Sequence, residues 1–292
     1  MPEAVLITIA SWEERFALGV GRSLSQENFT DVVCLVSDRY ADETSERRTA
    51  ARLLASEAGV QYEEWQFDFE DQVECYYKMS ALAQERLARA DRVVLDISTA
   101  PRTLVWMLLG ALTPAGREIF IRYSQAAEYD DWQTTEEGEP RLIINRSGIM
   151  YPDKPTCLVA LCGPEISRAE KMFDRFEPRK TLLLRDPRAA NYGEIKRLPN
   201  DYGGTVQEIV FDNTDTSDAN LSRLEELVQP QIEGHNVVAA SLGPKMSAIL
   251  LFKLSQRYEQ VGLSYVVSGQ HNLASTSGIG QSTDLTLRLG KK

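Results

Sequence analysis

The first loop of the chain carries residue types that could hold an anion. Ser11, Glu14 and Arg15 come directly after a short apolar run. A serine followed three residues later by a glutamate is the pattern of a capping box, which predicts that a helix begins here. A helix N-terminus attracts anions, and Arg15 would add a forked cation. The alternative is that the motif only starts a helix and that Arg15 pairs with a surface acid.

A second loop combines hydroxyl groups with an arginine. Ser98, Thr99 and Arg102 lie between an apolar run that ends at Ile97 and a strongly apolar helical stretch. Hydroxyls, free backbone N–H groups and an arginine beside a helix N-terminus are typical of a phosphate-binding loop. We therefore expect Ser98 and Thr99 to donate hydrogen bonds to a ligand and Arg102 to supply charge. The alternative is a serine/threonine turn with a solvated arginine.

Two further loops occur in the second half of the chain. Gly243 would allow a ligand to approach the backbone closely, and Lys245 would supply positive charge. The polar, glycine-rich stretch 268–280 contains His271 and Asn272 and is typical of a loop that covers a ligand. Asn272 is a candidate hydrogen-bond donor. His271 is a candidate general base, although a histidine in such a loop is more often simply exposed.

The elements that must position these loops alternate between strands and helices. Short apolar runs are separated by stretches of helical period, which is typical of a mostly parallel sheet covered on both faces. The acidic segment 125–140 breaks the pattern and is predicted to be an exposed loop. We predict strands at 4–10, 32–37, 60–67, 92–97, 118–123, 156–162, 180–185, 207–211, 236–241, 263–267 and 284–289, and helices at 13–24, 44–58, 71–90, 103–112, 164–176, 217–231 and 245–258.

The two halves of this series resemble each other in order. Segment 93–102, for example, corresponds to segment 237–245, with Lys245 placed like Arg102. Such repetition favours a duplicated unit. The predicted fold is therefore α/β, with two tandem Rossmann-like units that have mostly parallel sheets. We place the first unit at 1–125, an acidic loop or linker at 126–155, and the second unit with a C-terminal loop at 156–292. The alternative is one large α/β sheet.

Composition excludes several classes of protein. The 292-residue chain has 32 basic and 43 acidic residues, a net charge of −11, which argues against non-specific nucleic-acid binding. We find no secretory signal, no membrane-spanning stretch and no CxxC pair, and we expect a cytoplasmic protein with reduced, buried cysteines. With two histidines and no ligand spacing, we predict no metal and no cofactor. Because no nucleophile–base pair is recognisable, we expect no strong hydrolytic activity.

The loop Asp96–Arg102 before an apolar helix resembles the signature of CARF domains, the CRISPR-associated Rossmann-like sensors. Their motif runs roughly Asp-(Ile/Leu)-Thr-Gly-Gly-Thr-Lys. Here Ser98, Thr99 and Arg102 stand where a hydroxyl, a small residue and a lysine are expected, while Ala100 and Pro101 replace the Gly-Gly pair. The stretch Gly243–Lys245 resembles the same motif in the second half. Two fused CARF-like units are the arrangement of SAVED domains, which sense cyclic oligonucleotides in bacterial anti-phage signalling.

This resemblance implies a sensor that binds a nucleotide or cyclic oligonucleotide in a cleft between two units. Its output would come from a separate effector subunit or from homo-oligomerisation. Two alternatives stay open: an enzyme acting on such a ligand, in the manner of a ring nuclease, and a non-signalling scaffold subunit of a defence complex. The candidate ligand-binding residues are Ser11, Glu14, Arg15, Ser98, Thr99, Arg102, Gly243, Lys245, His271 and Asn272; no catalytic residue is assigned.

Overall fold

A computed structural model of the chain describes residues 3–85, 87–116, 118–129, 134–163, 167–188, 204–273 and 276–288. The chain forms two compact units, Met1–Thr135 together with Gln270–Lys292, and Glu136–Gly269. The strands are β1 (Ala4–Ile9), β2 (Asp31–Ser37), β3 (Gln61–Phe67), β4 (Arg92–Asp96), β5 (Glu118–Ser124), β6 (Glu128–Tyr129), β7 (Thr134–Leu142), β8 (Thr156–Cys162), β9 (Lys180–Arg185), β10 (Thr205–Val210), β11 (Asn236–Leu242), β12 (Val261–His271), β13 (Thr276–Ser277) and β14 (Ser282–Arg288).

The helices connect successive strands of each sheet and cover them. They are α1 (Glu14–Gln26), α2 (Ser45–Glu57), α3 (Gln72–Glu85), α4 (Arg102–Leu112), α5 (Ser167–Phe176), α6 (Asp218–Ile232) and α7 (Met246–Arg257). None of the helices in these described segments is long and apolar enough to cross a membrane.

The sheet of the first unit has the strand order β3-β2-β1-β4-β5-β14. Strands β1 to β5 run parallel, and β14 pairs antiparallel with β5. Every residue of β1 is buried, as expected for a central parallel strand with both faces covered. The direction of strand addition reverses between β1 and β4. We call this reversal the first switch point, because it is the position at which open α/β sheets bind ligands beyond the carboxyl ends of their strands.

The sheet of the second unit repeats this order as β10-β9-β8-β11-β12-β7. Its central strands β8, β9, β10, β11 and β12 are parallel, and the reversal between β8 and β11 is the second switch point. The predicted fold class, two tandem Rossmann-like units with mostly parallel sheets, is therefore confirmed. The alternative of one large sheet is wrong for the described strands.

The helix that follows the fourth strand of each sheet is buried nearly all round. In α4, seven of the eleven residues are buried, including Trp106 in the middle of the helix. In α7, nine of the twelve residues are buried. Because both helices are packed into the core, the loops that lead into them, which contain Arg102 and Lys245, are held in place.

Two predictions about the ends of the units are wrong. The acidic segment expected to be a loop contains β7, which lies beside β12. A Cβ atom at Gly138 would lie 3.1 Å from the Val267 carbonyl oxygen, so glycine allows the backbones to approach. The C-terminal strand, predicted within the second unit, pairs instead with β5 of the first, where Arg122 and Asp284 form an ion pair of 3.1 Å. An edge strand has one neighbour in the sheet, and its own sequence does not identify which strand that neighbour is.

Candidate functional site

The loop after β1 does not form the predicted capping box. The residue that precedes α1 is Glu13, and its side chain makes no capping hydrogen bond. Ser11 is buried, and its Oγ accepts a hydrogen bond of 3.2 Å from the backbone N–H of Glu13. A capping box would require α1 to begin at residue 12, but it begins two residues later, and Ser11 instead braces the turn that leads to Glu13. Glu14, the predicted partner of Ser11, is about half exposed and accepts a hydrogen bond of 3.3 Å from the Gly278 N–H.

Arg15 is buried beside an acidic partner. Its Nε donates to Glu13 Oε2, and its Nη1 donates to the backbone carbonyl of Ser124 at 3.3 Å. Glu13 Oε2 also accepts a hydrogen bond of 2.7 Å from the Thr276 hydroxyl, so the C-terminal segment joins this cluster. The side chains of Arg15 and Glu13 are only 8% and 14% exposed. Arg15 thus pairs with an acid, as the alternative interpretation of the sequence had it, but the pair is nearly buried.

The hydroxyl groups of the loop after β4 tie three strand ends together. Ser98 Oγ accepts a hydrogen bond of 2.8 Å from the Ser124 N–H at the end of β5. Thr99 Oγ1 donates at 2.7 Å to the carbonyl of Ile9 at the end of β1. The Thr99 hydroxyl proton, which we expected to be donated to a ligand, is therefore donated to the backbone of β1. Arg102 is the first residue of α4, is half-buried, and remains a candidate for contact with an anion.

The carboxylate that precedes this loop in the sequence orients its backbone. Asp96 is buried at the end of β4 and accepts a hydrogen bond of 2.8 Å from the Ser98 N–H. A Cβ atom at Gly19 in α1 would lie only 2.9 Å from Asp96 Oδ2. The glycine inside this helix therefore leaves room for the carboxylate, which in turn fixes the start of the loop.

The second switch point is built from backbone. A Cβ atom at Gly243 would lie 3.1 Å from the carbonyl carbon and oxygen of Cys162, and one at Gly163 would lie 3.1 Å from the Gly243 Cα. The two glycines therefore pack against each other at the carboxyl ends of β8 and β11. We call them the glycine pair. Lys245, half-buried, is the residue immediately before α7.

Serine hydroxyl groups brace the loop that contains Gly243 and Lys245 from beneath. Ser241 Oγ and Ser247 Oγ lie 2.6 Å apart, and Ser247 Oγ donates to the Pro244 carbonyl at 2.7 Å. Both serines are fully buried. The loop is thus fixed by contacts made below it, as the loop after β4 is.

Arg168 is a buried cation that sequence analysis did not include among the site residues. It is the second residue of α5, as Arg15 is the second residue of α1. Its Nη1 donates to the hydroxyl of Tyr265 in β12 at 3.3 Å, and both side chains are buried. The sequence repeat could have identified Arg168 as a candidate, because it places Arg168 and Arg15 on corresponding helices.

The segment that follows β10 is held by the side-chain amide of Asn213 and by Asp212, which pairs with Arg188. Asn213, fully buried, donates through Nδ2 to the carbonyls of Cys162 at 2.8 Å and Leu184 at 3.2 Å. Burial alone would raise the pKa of Asp212, but hydrogen bonds from Thr214 and the charge of Arg188 lower it. Among the residues that the structure describes, no group of three His, Cys, Asp or Glu side chains could hold a metal ion.

The remaining candidate residues lie at the end of β12. His271 is the last residue of this strand, but its side chain lies outside the described part of the structure. Asn272 follows it and is half-buried. The cysteines are free and buried, as predicted, and burial raises the pKa of Cys162 beside the glycine pair to about 12. This thiol is therefore protonated at neutral pH and is not a nucleophile.

The sequence matches no protein-family profile and no curated protein. Among solved structures, a Type III CRISPR defence DNA nuclease activated by cyclic oligoadenylate aligns with 85% of this chain and 63% of its own, at 10% identity and a TM-score of 0.50. Can2 from Sulfobacillus thermosulfidooxidans, in complex with cyclic tetra-adenylate, aligns with 41% of this chain and 32% of its own, at 12% identity and a TM-score of 0.31. An alcohol dehydrogenase from Comamonas testosteroni covers 90% of this chain and 86% of its own, at 9% identity and a TM-score of 0.26.

This chain therefore spans less than two thirds of the nuclease and about a third of Can2. At these identities, the likeness to the nuclease is a likeness of fold.

Proposed function

We propose that this protein binds a nucleotide, most specifically a cyclic oligoadenylate, at the carboxyl edges of its sheets and acts as a sensor in anti-phage defence. The observation that carries the proposal is the second switch point. There the glycine pair leaves backbone without side chains, and Lys245 stands at the start of a buried helix. Backbone that carries no side chain, a helix N-terminus and a cation are groups that bind phosphate.

The class of ligand is supported by the fold comparison. The nuclease that shares the fold over most of this chain is described as activated by cyclic oligoadenylate. A cyclic oligoadenylate carries several phosphates and several bases, so it needs cations in small number and flat surfaces for stacking. A protein with a net charge of −11 would exclude long nucleic acids by repulsion and still accept a small polyanion at a local cation.

The proposal includes how the sensor passes on its signal. The sensor would work in the cytoplasm and pass its signal to a separate effector subunit or through homo-oligomerisation.

Calorimetric titration with cyclic tri-, tetra- and hexa-adenylate tests the proposal. We expect one of them to bind, and Lys245→Ala or Arg102→Ala to weaken binding by about 10- to 100-fold, since a charge-assisted hydrogen bond contributes roughly 1.5–3 kcal/mol. Arg288→Ala is the control, because Arg288 pairs with Glu118 at the opposite end of β5. Absence of binding to wild type would defeat the proposal. Recovery of a cleaved ligand would show an enzyme instead of a sensor.

A further inference from the structure

Two aromatic side chains and an arginine lie together at the carboxyl edge of the first sheet. Trp12 follows β1, and Arg39 and Tyr40 follow β2 in a single turn of 3₁₀ helix, Asp38–Tyr40. Because β1 and β2 are parallel neighbours, both segments leave the sheet at the same edge. We call Trp12, Arg39 and Tyr40 the aromatic platform.

The side chains of the aromatic platform contact one another and remain open to solvent. The ring centres of Trp12 and Tyr40 are 5.1 Å apart, with the ring planes at 63°. The guanidinium carbon of Arg39 lies 5.3 Å from the centre of the Tyr40 ring. Trp12 and Tyr40 are half-buried and Arg39 is exposed. Rings packed edge to face cannot shield each other completely, so flat surface stays available for a ligand.

The backbone beneath Tyr40 is fixed from inside the unit. The Thr44 hydroxyl donates to the Tyr40 carbonyl at 2.9 Å, and Thr44 itself is 2% exposed. Arg48 Nη2 donates to the carbonyl of Ala41, the next residue, at 2.8 Å. A stacking surface that is ordered before binding loses little entropy when a ligand arrives.

The aromatic platform lies among charges of both signs. Burial raises the pKa of Tyr40, the charge of Arg39 lowers it, and the carboxylates of Glu70 and Glu43 raise it. At the neighbouring loop, Arg15 is paired with Glu13. These charges oppose one another, so the distinctive feature of this surface is its flat ring faces, which suit an uncharged base.

We propose that the aromatic platform is a nucleobase subsite, on whose solvent-exposed aromatic surface one adenine of the ligand stacks. The inference rests on the proposed function and deepens it, because it adds base recognition in the first unit to the phosphate contact proposed for Arg102 of the same unit. Aromatic rings and arginine planes are the side chains on which proteins stack unpaired bases.

The test compares Trp12→Leu, Trp12→Phe and Tyr151→Leu in calorimetric titration with cyclic tetra-adenylate. We expect Trp12→Leu to weaken binding about 10-fold, the usual effect of losing one base–aromatic stack, and Trp12→Phe to restore most of it. Tyr151 is the matched control. Tyr151 is 42% exposed and has Lys154 4.7 Å from its ring centre. Its backbone N–H donates a hydrogen bond to Asn236 at the amino end of β11, so it lies away from the carboxyl edge of its sheet.

Unchanged binding by Trp12→Leu, or an equal loss in Tyr151→Leu, would overturn the nucleobase subsite while leaving the proposed function intact. If wild type binds none of the three cyclic oligoadenylates, the proposed function fails, and titration with AMP decides the platform separately. Quenching of tryptophan fluorescence by AMP that disappears in Trp12→Phe would support the subsite. Absence of any quenching would overturn it as well.

Discussion

The two switch points share one strand order and differ in what fills them. At the first, side chains occupy the edge: Ser98 and Thr99 tie the strand ends, and Glu13 neutralises Arg15. At the second, the glycine pair brings the backbones together and leaves Lys245 at the helix start. The same strand order therefore accommodates two kinds of edge, the first filled by side chains and the second by closely packed backbone.

The register of the sheets makes this comparison exact in position. Arg92 of β4 pairs with Ala4 of β1, and Asn236 of β11 pairs with Thr156 of β8, the corresponding first residues. Counting on from these, Leu242 takes the place of Ser98. The hydroxyl that holds β5 in the first unit has no counterpart there, so the second unit must hold its edge in another way.

The largest expected effect concerns the buried ion pair of the first edge. Glu13→Ala leaves Arg15 buried without its carboxylate, which we expect to lower the free energy of unfolding by about 3 kcal/mol. Glu14→Ala is the matched control. Its side chain is 47% exposed and lies 3.6 Å from Arg47, so its loss should cost less than about 0.5 kcal/mol. Urea denaturation of both variants measures the difference. Equal losses would mean that Glu13 is no more important than a surface acid.

The next effect concerns the glycine pair. Gly243→Val places a branched side chain against the carbonyl group of Cys162, 3.1 Å from a Cβ position, and should destabilise the protein by about 2 kcal/mol. It should also abolish ligand binding. Gly234→Val is the control in the same unit, because no atom lies within 4 Å of a Cβ position there. Thermal unfolding and calorimetry together test this, and a Gly243→Val variant that binds normally would refute the role proposed for the glycine pair.

The smallest effect concerns the bracing hydroxyl. Ser98→Ala removes the acceptor of the buried Ser124 N–H and should reduce stability by about 1 kcal/mol. Ser25→Ala removes an exposed hydroxyl bonded to the Arg22 carbonyl, and we expect no measurable change. Hydrogen exchange of the Ser124 amide gives a second readout, since this proton should exchange faster only in Ser98→Ala. Unaltered exchange would mean that β5 is held without the serine.

The sequence predicts the inner strands and the helices well, for a physical reason. Strands such as β1 and β8 are buried on both faces, so their apolar runs are continuous and easy to recognise. The repeat of βα units also follows from the order of these runs. Strand β7 was expected to be a loop. Strand β14 was recognised as a strand, but its partner β5 was not, because the apolar pattern of an edge strand does not specify the strand with which it pairs.

The candidate site was predictable in position but not in its internal contacts. The loops at Arg102 and Lys245 follow central strands, which alone indicates the carboxyl edge. The partners of Glu13 include Thr276, which is 263 residues away in sequence, and no local pattern predicts such a contact. The aromatic platform likewise contains residues from the loops after β1 and β2, and only the loop after β1 contains a recognisable sequence motif.

The placement of β14 has a consequence for how the protein is made. On the ribosome, all of the second unit emerges before the strand that completes the first sheet. Until then β5, with the sequence EIFIRYS, is an open edge rich in β-forming residues, which is the kind of surface that pairs wrongly with other nascent chains. Arg122 in the middle of this strand is later buried in its ion pair with Asp284. Before β14 is synthesised, its charge would oppose pairing of β5 with other chains.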